Sequence, residues 1–258
     1  MRWGQRGRRC GTALSAVLLL LGLPVATPSA QSAVVVSAAS SLTEVLTELG
    51  RRFERETGVR VALNTGGSNT LARQIRAGAR VDLFVSADAA QMDAVAADIV
   101  GGTRIDLLAN QLAIAVPDDR VRVVRAAADL AGPAFRRIAI GDPAAVPAGV
   151  YARAYLQQLG LWERLLPKVV PTGTVRLALA AVESGAADAA IVYRTDLAAA
   201  RRARAALIVP RDQGPAIVYP AAMISGGRNR EAARRLLDFL RGAAAADVFR
   251  RTGFIPLP

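Results

Sequence analysis

Four clusters of small residues punctuate the chain: Ser40-Ser41, Gly66-Gly67-Ser68-Asn69, Pro147-Ala148-Gly149 and Thr174-Val175. Each follows a run suited to a strand or an extended turn and opens a run suited to a helix. What such residues offer is donation of neutral hydrogen bonds. The first N–H groups of a helix have no acceptor within the helix, and the helix dipole places partial positive charge at the same end. A hydroxyl there either caps its own helix or turns outward to a ligand, and glycine lets the backbone approach closely. Such an edge receives anions. A hydrogen bond to a charged group contributes about 1.5–3 kcal/mol, so five or six of them cover the roughly 8 kcal/mol of a micromolar affinity after ordering losses.

Taken singly, each cluster is a set of helix caps. Ser41 with Glu44 three residues on has capping-box spacing, and Ser68 or Asn69 fits a cap position after two glycines. Taken together they differ, because in an open parallel sheet the helix N-termini gather at the carboxyl edge of the strands, where ligands bind.

Other chemistries are narrowed by what the chain lacks. It has no histidine, and its one cysteine, Cys10, lies near the N-terminus. Ser-His-Asp and Cys-His nucleophiles and the usual zinc sites therefore drop out. No G-x-S-x-G elbow, phosphate-binding G-x-x-x-x-G-K-[ST] loop or G-x-G-x-x-G fingerprint occurs. A serine-lysine dyad would need Lys168, the chain's only lysine, which has no evident link to either serine cluster. An exported serine hydrolase acting through Ser41 or Ser68 is the weakest alternative, and no enzymatic activity is expected.

The elements that must position these clusters alternate. "AVVVSAA" reads as a strand, and "SLTEVLTELGRRFERETG" as a helix with Val45, Leu46, Leu49 and Phe53 on one face and a stop at Gly58. "VRVALNT", "TLARQIRAG", "RVDLFVSA" and "DAAQMDAVAADI" continue as strand, helix, strand and helix. After Gly101 the style restarts with "NQLAIAVP", "RIAIGDP", "VYARAYLQQLGLW", "VRLALAAVESG" and "AAIVYRT". "PAIVYPAAMI" and the amphipathic "REAARRLLDFLRG" close the chain. This is α/β punctuation, with two sheets and lobes joined by strands rather than by a loose tether.

With 258 residues, 52% of them hydrophobic, the chain can bury a substantial core. Its formal charge of +12 includes four arginines and no acids in the first thirty residues; the remainder holds 29 basic against 21 acidic groups. Those arginines are scattered and only 5% of residues are aromatic, so nucleic-acid binding is not expected. "MRWGQRGRR", the apolar "TALSAVLLLLGLPVA" and "TPSA" read as a signal peptide over residues 1–30, cleaved after Ala30, which predicts a periplasmic mature chain without cysteine.

Several segments together resemble the molybdate-binding periplasmic proteins that serve ABC transporters: "AASSLTEVL", "SNTLARQI", "VDLFVSAD", "IGDPAAVPAGVYARAYLQQLG", "VRLALAAVESGAADAAIVY" and the terminal "RTGF". The similarity runs in order from about residue 34 to 255. It implies a two-lobed periplasmic-binding-protein fold, each lobe a mainly parallel sheet flanked by helices, with a ligand cleft between them. The expected division is residues 31–112 plus 216–258 for lobe 1 and 113–215 for lobe 2. The resemblance assigns oxyanion contacts to Ser41 and Ser68 in the first lobe and to Ala148, Val175 and Tyr193 in the second. Ser40 and Asn69 are additional candidates, and the choice between Ser40 and Ser41 stays open. Asp88 reads as a helix cap and Asp82 as a structural or hinge residue, since a carboxylate facing a dianion repels it. The implied ligand is molybdate or tungstate, with sulfate, phosphate or another small anion as the alternative. The anion is held without a metal cation or cofactor, by a monomer that closes about it and delivers it to a membrane permease.

Overall fold

The computed structural model describes residues 33–118 and 124–258; the expected signal peptide and Cys10 lie outside the described residues. In chain order, β1 (Val34–Ala39) leads through a 3-10 turn at Ser40–Leu42 into α1 (Thr43–Thr57), followed by β2 (Val61–Gly66), α2 (Ser68–Arg76), β3 (Leu83–Val85) and α3 (Ala89–Asp93). Then come β4 (Ile105–Asn110), β5 (Leu112–Pro117), β6 (Ile138–Gly141), α4 (Pro147–Gln158), α5 (Trp162–Leu165), β7 (Val169–Thr172), α6 (Val175–Glu183), β8 (Ala189–Tyr193) and β9 (Ala203–Ile208). The chain ends with β10 (Ile217–Met223), α7 (Arg230–Arg241), α8 (Ala243–Arg251) and β11 (Ile255–Pro256). Among the described residues no helix is long and apolar enough to cross a membrane.

Local rules account for many boundaries. The helix α1 buries Val45, Leu46, Leu49 and Phe53 on one face and ends where Gly58 adopts φ 73°, a left-handed conformation glycine takes without strain. Pro147 opens α4, where its missing N–H is no loss. Asp88 caps α3 by accepting from Gln91 N–H, and Asp82 accepts from the backbone N–H groups of Val35 and Asn229, tying β1 to the start of α7.

Two sheets form, in the orders β11-β4-β10-β3-β1-β2 and β7-β6-β8-β5-β9. The two-lobed α/β architecture is the one expected, but each sheet is mixed rather than mainly parallel. Parallel pairs join β1 to β2 and β3, and β6 to β7 and β8, whereas β10 and β5 run antiparallel to both their neighbours. The reason is directional. Strands whose carboxyl ends feed the helices finish between the sheets; β5 and β10 each begin there, because the chain has just crossed from the other sheet, so they run the opposite way. The elements β4, α5, β7, β9, α8 and β11 were not read from the sequence. Of these, β7 and β9 are edge strands of half-exposed pattern, where alternation gives little signal.

Both crossings lie side by side. Gln111 separates β4 from β5, its side-chain Nε2 donates to Val209 O, and Val209 N–H donates to Leu112 O. The core is continuous through both sheets, with a satellite under α2 and α3 around Phe84 and Met92.

One contact is tight enough to predict from. A Cβ on Gly149 would run into the carbonyl of Gly141 and lie 2.7 Å from that of Asp142, so α4 rests on β6 at glycine-only separation. Gly149→Ala is expected to destabilise the fold by about 3 kcal/mol, lowering Tm by roughly 6–12 °C in thermal denaturation.

Candidate functional site

The carboxyl ends of β1, β2, β6 and β8 converge on one cavity. Ala39, Ser40, Ser41, Gly66, Gly67, Ser68 and Ala87 line it from the first sheet's side, and Val146, Pro147, Ala148, Val175 and Tyr193 from the second's. The cavity is small: the centre of a water molecule can move through only about 10 Å³ of it. Among the described residues that line it, none carries a charged side chain.

Ser41, Ser68, Ala148, Val175 and Tyr193 are thus brought together, with Ser40 beside them. Asn69 is not among the lining residues. Its Oδ1 lies 2.7 Å from where a Cβ on the cavity-lining Gly67 would sit and, among the described residues, is buried without a hydrogen-bond partner. Gly67 is glycine for a second reason as well: that Cβ would lie 2.9 Å from Gly173 O, across the gap between the sheets.

Neither serine caps a helix. Ser41 sits inside the 3-10 turn, the N-cap of α1 is Leu42 without a side-chain bond, and Glu44 pairs elsewhere, so the capping box does not form. Ser41 Oγ lies 3.0 Å from Tyr219 Oη. Ser68 is the first residue of α2, after an N-cap Gly67 that makes no side-chain bond, and its Oγ accepts from Ala87 N–H at 3.0 Å. Thr174, by contrast, is a true cap, accepting from Leu177 N–H. Val175 is the first residue of α6 and Ala148 the second of α4, positions whose N–H groups have no intrahelical acceptor. Tyr193 Oη is fully buried and has no hydrogen-bond partner among the described residues. A buried hydroxyl is left unpaired at a cost of about 1–3 kcal/mol.

Charges stand behind the site rather than in it. Arg176, next to Val175, reaches back across the gap: its Nη2 lies 2.5 Å from Glu44 Oε2 on the first side and 3.4 Å from Ser41 O. Its Nε lies 2.9 Å from Asp196 Oδ1, an ion pair too oblique for a hydrogen bond. Asp196 Oδ2 accepts from Tyr193 N–H. Burial raises the Asp196 pKa to about 6, against the partial opposition of Arg176. Arg176, Asp196, Tyr219 and Asn110 were not singled out from the sequence. No local spacing marks them, since their partners lie from 20 to 178 residues away except for bonds to close chain neighbours.

A small cavity between two α/β lobes, walled by uncharged donors at helix N-termini, defines a two-lobed binding protein for a small solute. Residues 34–255 match the family model for bacterial extracellular solute-binding proteins. Over 231 residues the chain is 39% identical to the molybdate-binding protein ModA of Escherichia coli K12, spanning 86% of this chain and 88% of that one. It is 31% identical over 249 residues to YvgL of Bacillus subtilis 168, named a putative ABC transporter substrate-binding lipoprotein, covering 94% and 95%. Among solved structures, the periplasmic molybdate-binding protein of Azotobacter vinelandii matches with a TM-score of 0.79 at 25% identity, over 87% of this chain and 99% of that one. The sulfate-binding protein SubI of Mycobacterium tuberculosis H37Rv shares the fold, with a TM-score of 0.77 at 16% identity over 88% and 87% of the two chains. The chain belongs to the bacterial extracellular solute-binding proteins.

The charges behind the cavity generate a pH prediction. A carboxyl whose folded pKa is raised contributes stability that is fully present below its unfolded value, 3.8 for Asp196, and lost as pH rises through about 6. Burial raises Asp88 as well. The lowered pKa values of Asp129 and Glu183 act in the opposite sense, but only below about 4.5. The apo protein's Tm is therefore expected to rise between pH 7 and pH 5, and Asp196→Asn to reduce that rise, leaving the part due to Asp88; scanning calorimetry across this range measures both.

Proposed function

We propose that this protein is the substrate-binding component of an ABC transporter for molybdate, with tungstate as an equivalent ligand, working outside the cytoplasm and passing its cargo to a membrane permease. The observation that carries the reading is the cavity itself. Two serine hydroxyls, two helix-opening amides and an unpartnered tyrosine hydroxyl converge there with no charged side chain among the lining residues. Such a set suits a tetrahedral oxyanion. The relatives named for molybdate support the choice of metal.

Ser41 and Ser68 act as hydroxyl donors, Ala148 and Val175 as main-chain donors, and Tyr193 through its Oη, with Ser40 as a neighbouring donor. The anion is bound by hydrogen bonds and helix dipoles, and no bond in it is broken. No cofactor takes part, and one copy of the chain forms the whole site. Capture follows from closure: residues 31–112 with 216–258 form one lobe and 113–215 the other, hinged at the paired crossings. The Glu44–Arg176 pair and the Gly67–Gly173 approach are contacts that a closed form makes and an open form releases. A ligand touching both lobes shifts the population toward the closed form.

Calorimetry of the apo mature chain tests the reading. Molybdate and tungstate are expected to bind with similar affinity, and sulfate and phosphate more weakly; sulfate binding as tightly as molybdate would reassign the ligand. Ser41→Ala and Ser68→Ala should each weaken molybdate binding by about 1.5–3 kcal/mol, roughly ten- to 150-fold.

A further inference from the structure

A hydroxyl can give or take a hydrogen bond, so a wall of hydroxyls does not by itself choose an anion over any other polar guest. The surroundings of Ser41 make the choice, through a chain of bonds whose direction is set at its far end. Gln111 N–H, a backbone donor with no alternative role, gives its hydrogen to Asn110 Oδ1 at 2.8 Å. That fixes which end of the Asn110 amide is which. Nδ2, with two hydrogens, then faces Thr195 Oγ1 at 2.9 Å and Tyr219 Oη at 3.2 Å and donates to both. Tyr219 is fully buried, its oxygen already accepts from Asn110, and among the described residues its own hydrogen has one partner within reach, Ser41 Oγ at 3.0 Å. Ser41 must then accept from behind, and its hydrogen is turned into the cavity.

We infer that Asn110 and Tyr219 are positioning residues that polarise Ser41 into a donor toward the bound oxyanion. Ser68 reaches the same state by a simpler route, because Ala87 N–H fills its oxygen from behind. Both hydroxyls thus present hydrogens in advance, one oriented by the backbone and the other by a side-chain relay. Were the relay reversed, Ser41 would show the anion its lone pairs. Asn110 ends β4 at the crossing and also holds Thr195 of the second sheet's side, so the relay is anchored where the two halves join.

The inference rests on the oxyanion reading above, and a double-mutant cycle separates the two. Molybdate affinity is measured by calorimetry for the full mature chain, Tyr219→Phe, Ser41→Ala and the double variant. Tyr219→Phe keeps the ring and its edge contacts with Tyr193 and Phe254 and loses only the hydroxyl. It is expected to weaken binding about tenfold, yet to add less than about twofold on top of Ser41→Ala. Asn110→Ala goes through the same cycle with the same expectation, so the test stands even if one variant folds poorly. Apo Tm is recorded alongside, since a purely structural role would lower Tm while leaving the losses additive. Additive losses overturn the relay while leaving the oxyanion reading intact; a wild-type chain that binds none of molybdate, sulfate or phosphate overturns both.

Discussion

Neutral donors hold a small buried solute only if they are fixed before it arrives, because each group that must first be freed from another partner subtracts from what the guest gains. The cavity meets that constraint at each contributing group. Ser41 and Ser68 are relieved of helix capping and meet other partners behind them, Tyr219 and the Ala87 amide. The amides of Ala148 and Val175 open their helices and have no internal acceptor. Tyr193 Oη is buried with no hydrogen-bond partner among the described residues.

Strand direction follows from the same requirement. For helices from both sheets to present N-termini to one point, the strands that feed them must run toward it, and β2, β6 and β7, which lead into α2, α4 and α6, do. A chain that contributes to both sheets must also pass between them, so the strands that carry it away from the cavity run against the others. Antiparallel β5 and β10 are therefore the geometric consequence of building one site from two sheets. Gln111 binds the two crossings to each other, and its neighbour Asn110 reaches toward Ser41 through Tyr219. The joint between the halves and the orientation of a site hydroxyl thus share residues.

Charge is used for contact between the halves and withheld from the wall. Arg176 is one residue from Val175, yet its guanidinium turns toward Glu44 and Asp196, where acids hold it away from the lining. A bare guanidinium in the wall would attract any anion with little regard to its shape, and once buried it would need a permanent counter-charge. Asp196 has that role at a price in its own desolvation, visible in its raised pKa.

Much of this was legible in the residues because it depends on neighbours in sequence. The periodic face of α1, its stop at Gly58, the glycine and proline punctuation around Ser68 and Ala148, and the alternation of strand and helix are local facts, and local sterics decide them. The absence of histidine, and of any cysteine beyond Cys10, likewise limits the chemistry without reference to a fold. Tertiary structure alone decided whether Ser41 caps α1 or meets Tyr219, 178 residues away, that Ser68 lines the cavity, and that Arg176 lies behind the wall. Spacing along the chain restricts what a hydroxyl, an amide or a guanidinium can reach within a turn or two. Which of those options is taken depends on the donors and acceptors that distant segments bring within 3 Å, and only the folded packing of both sheets determines that.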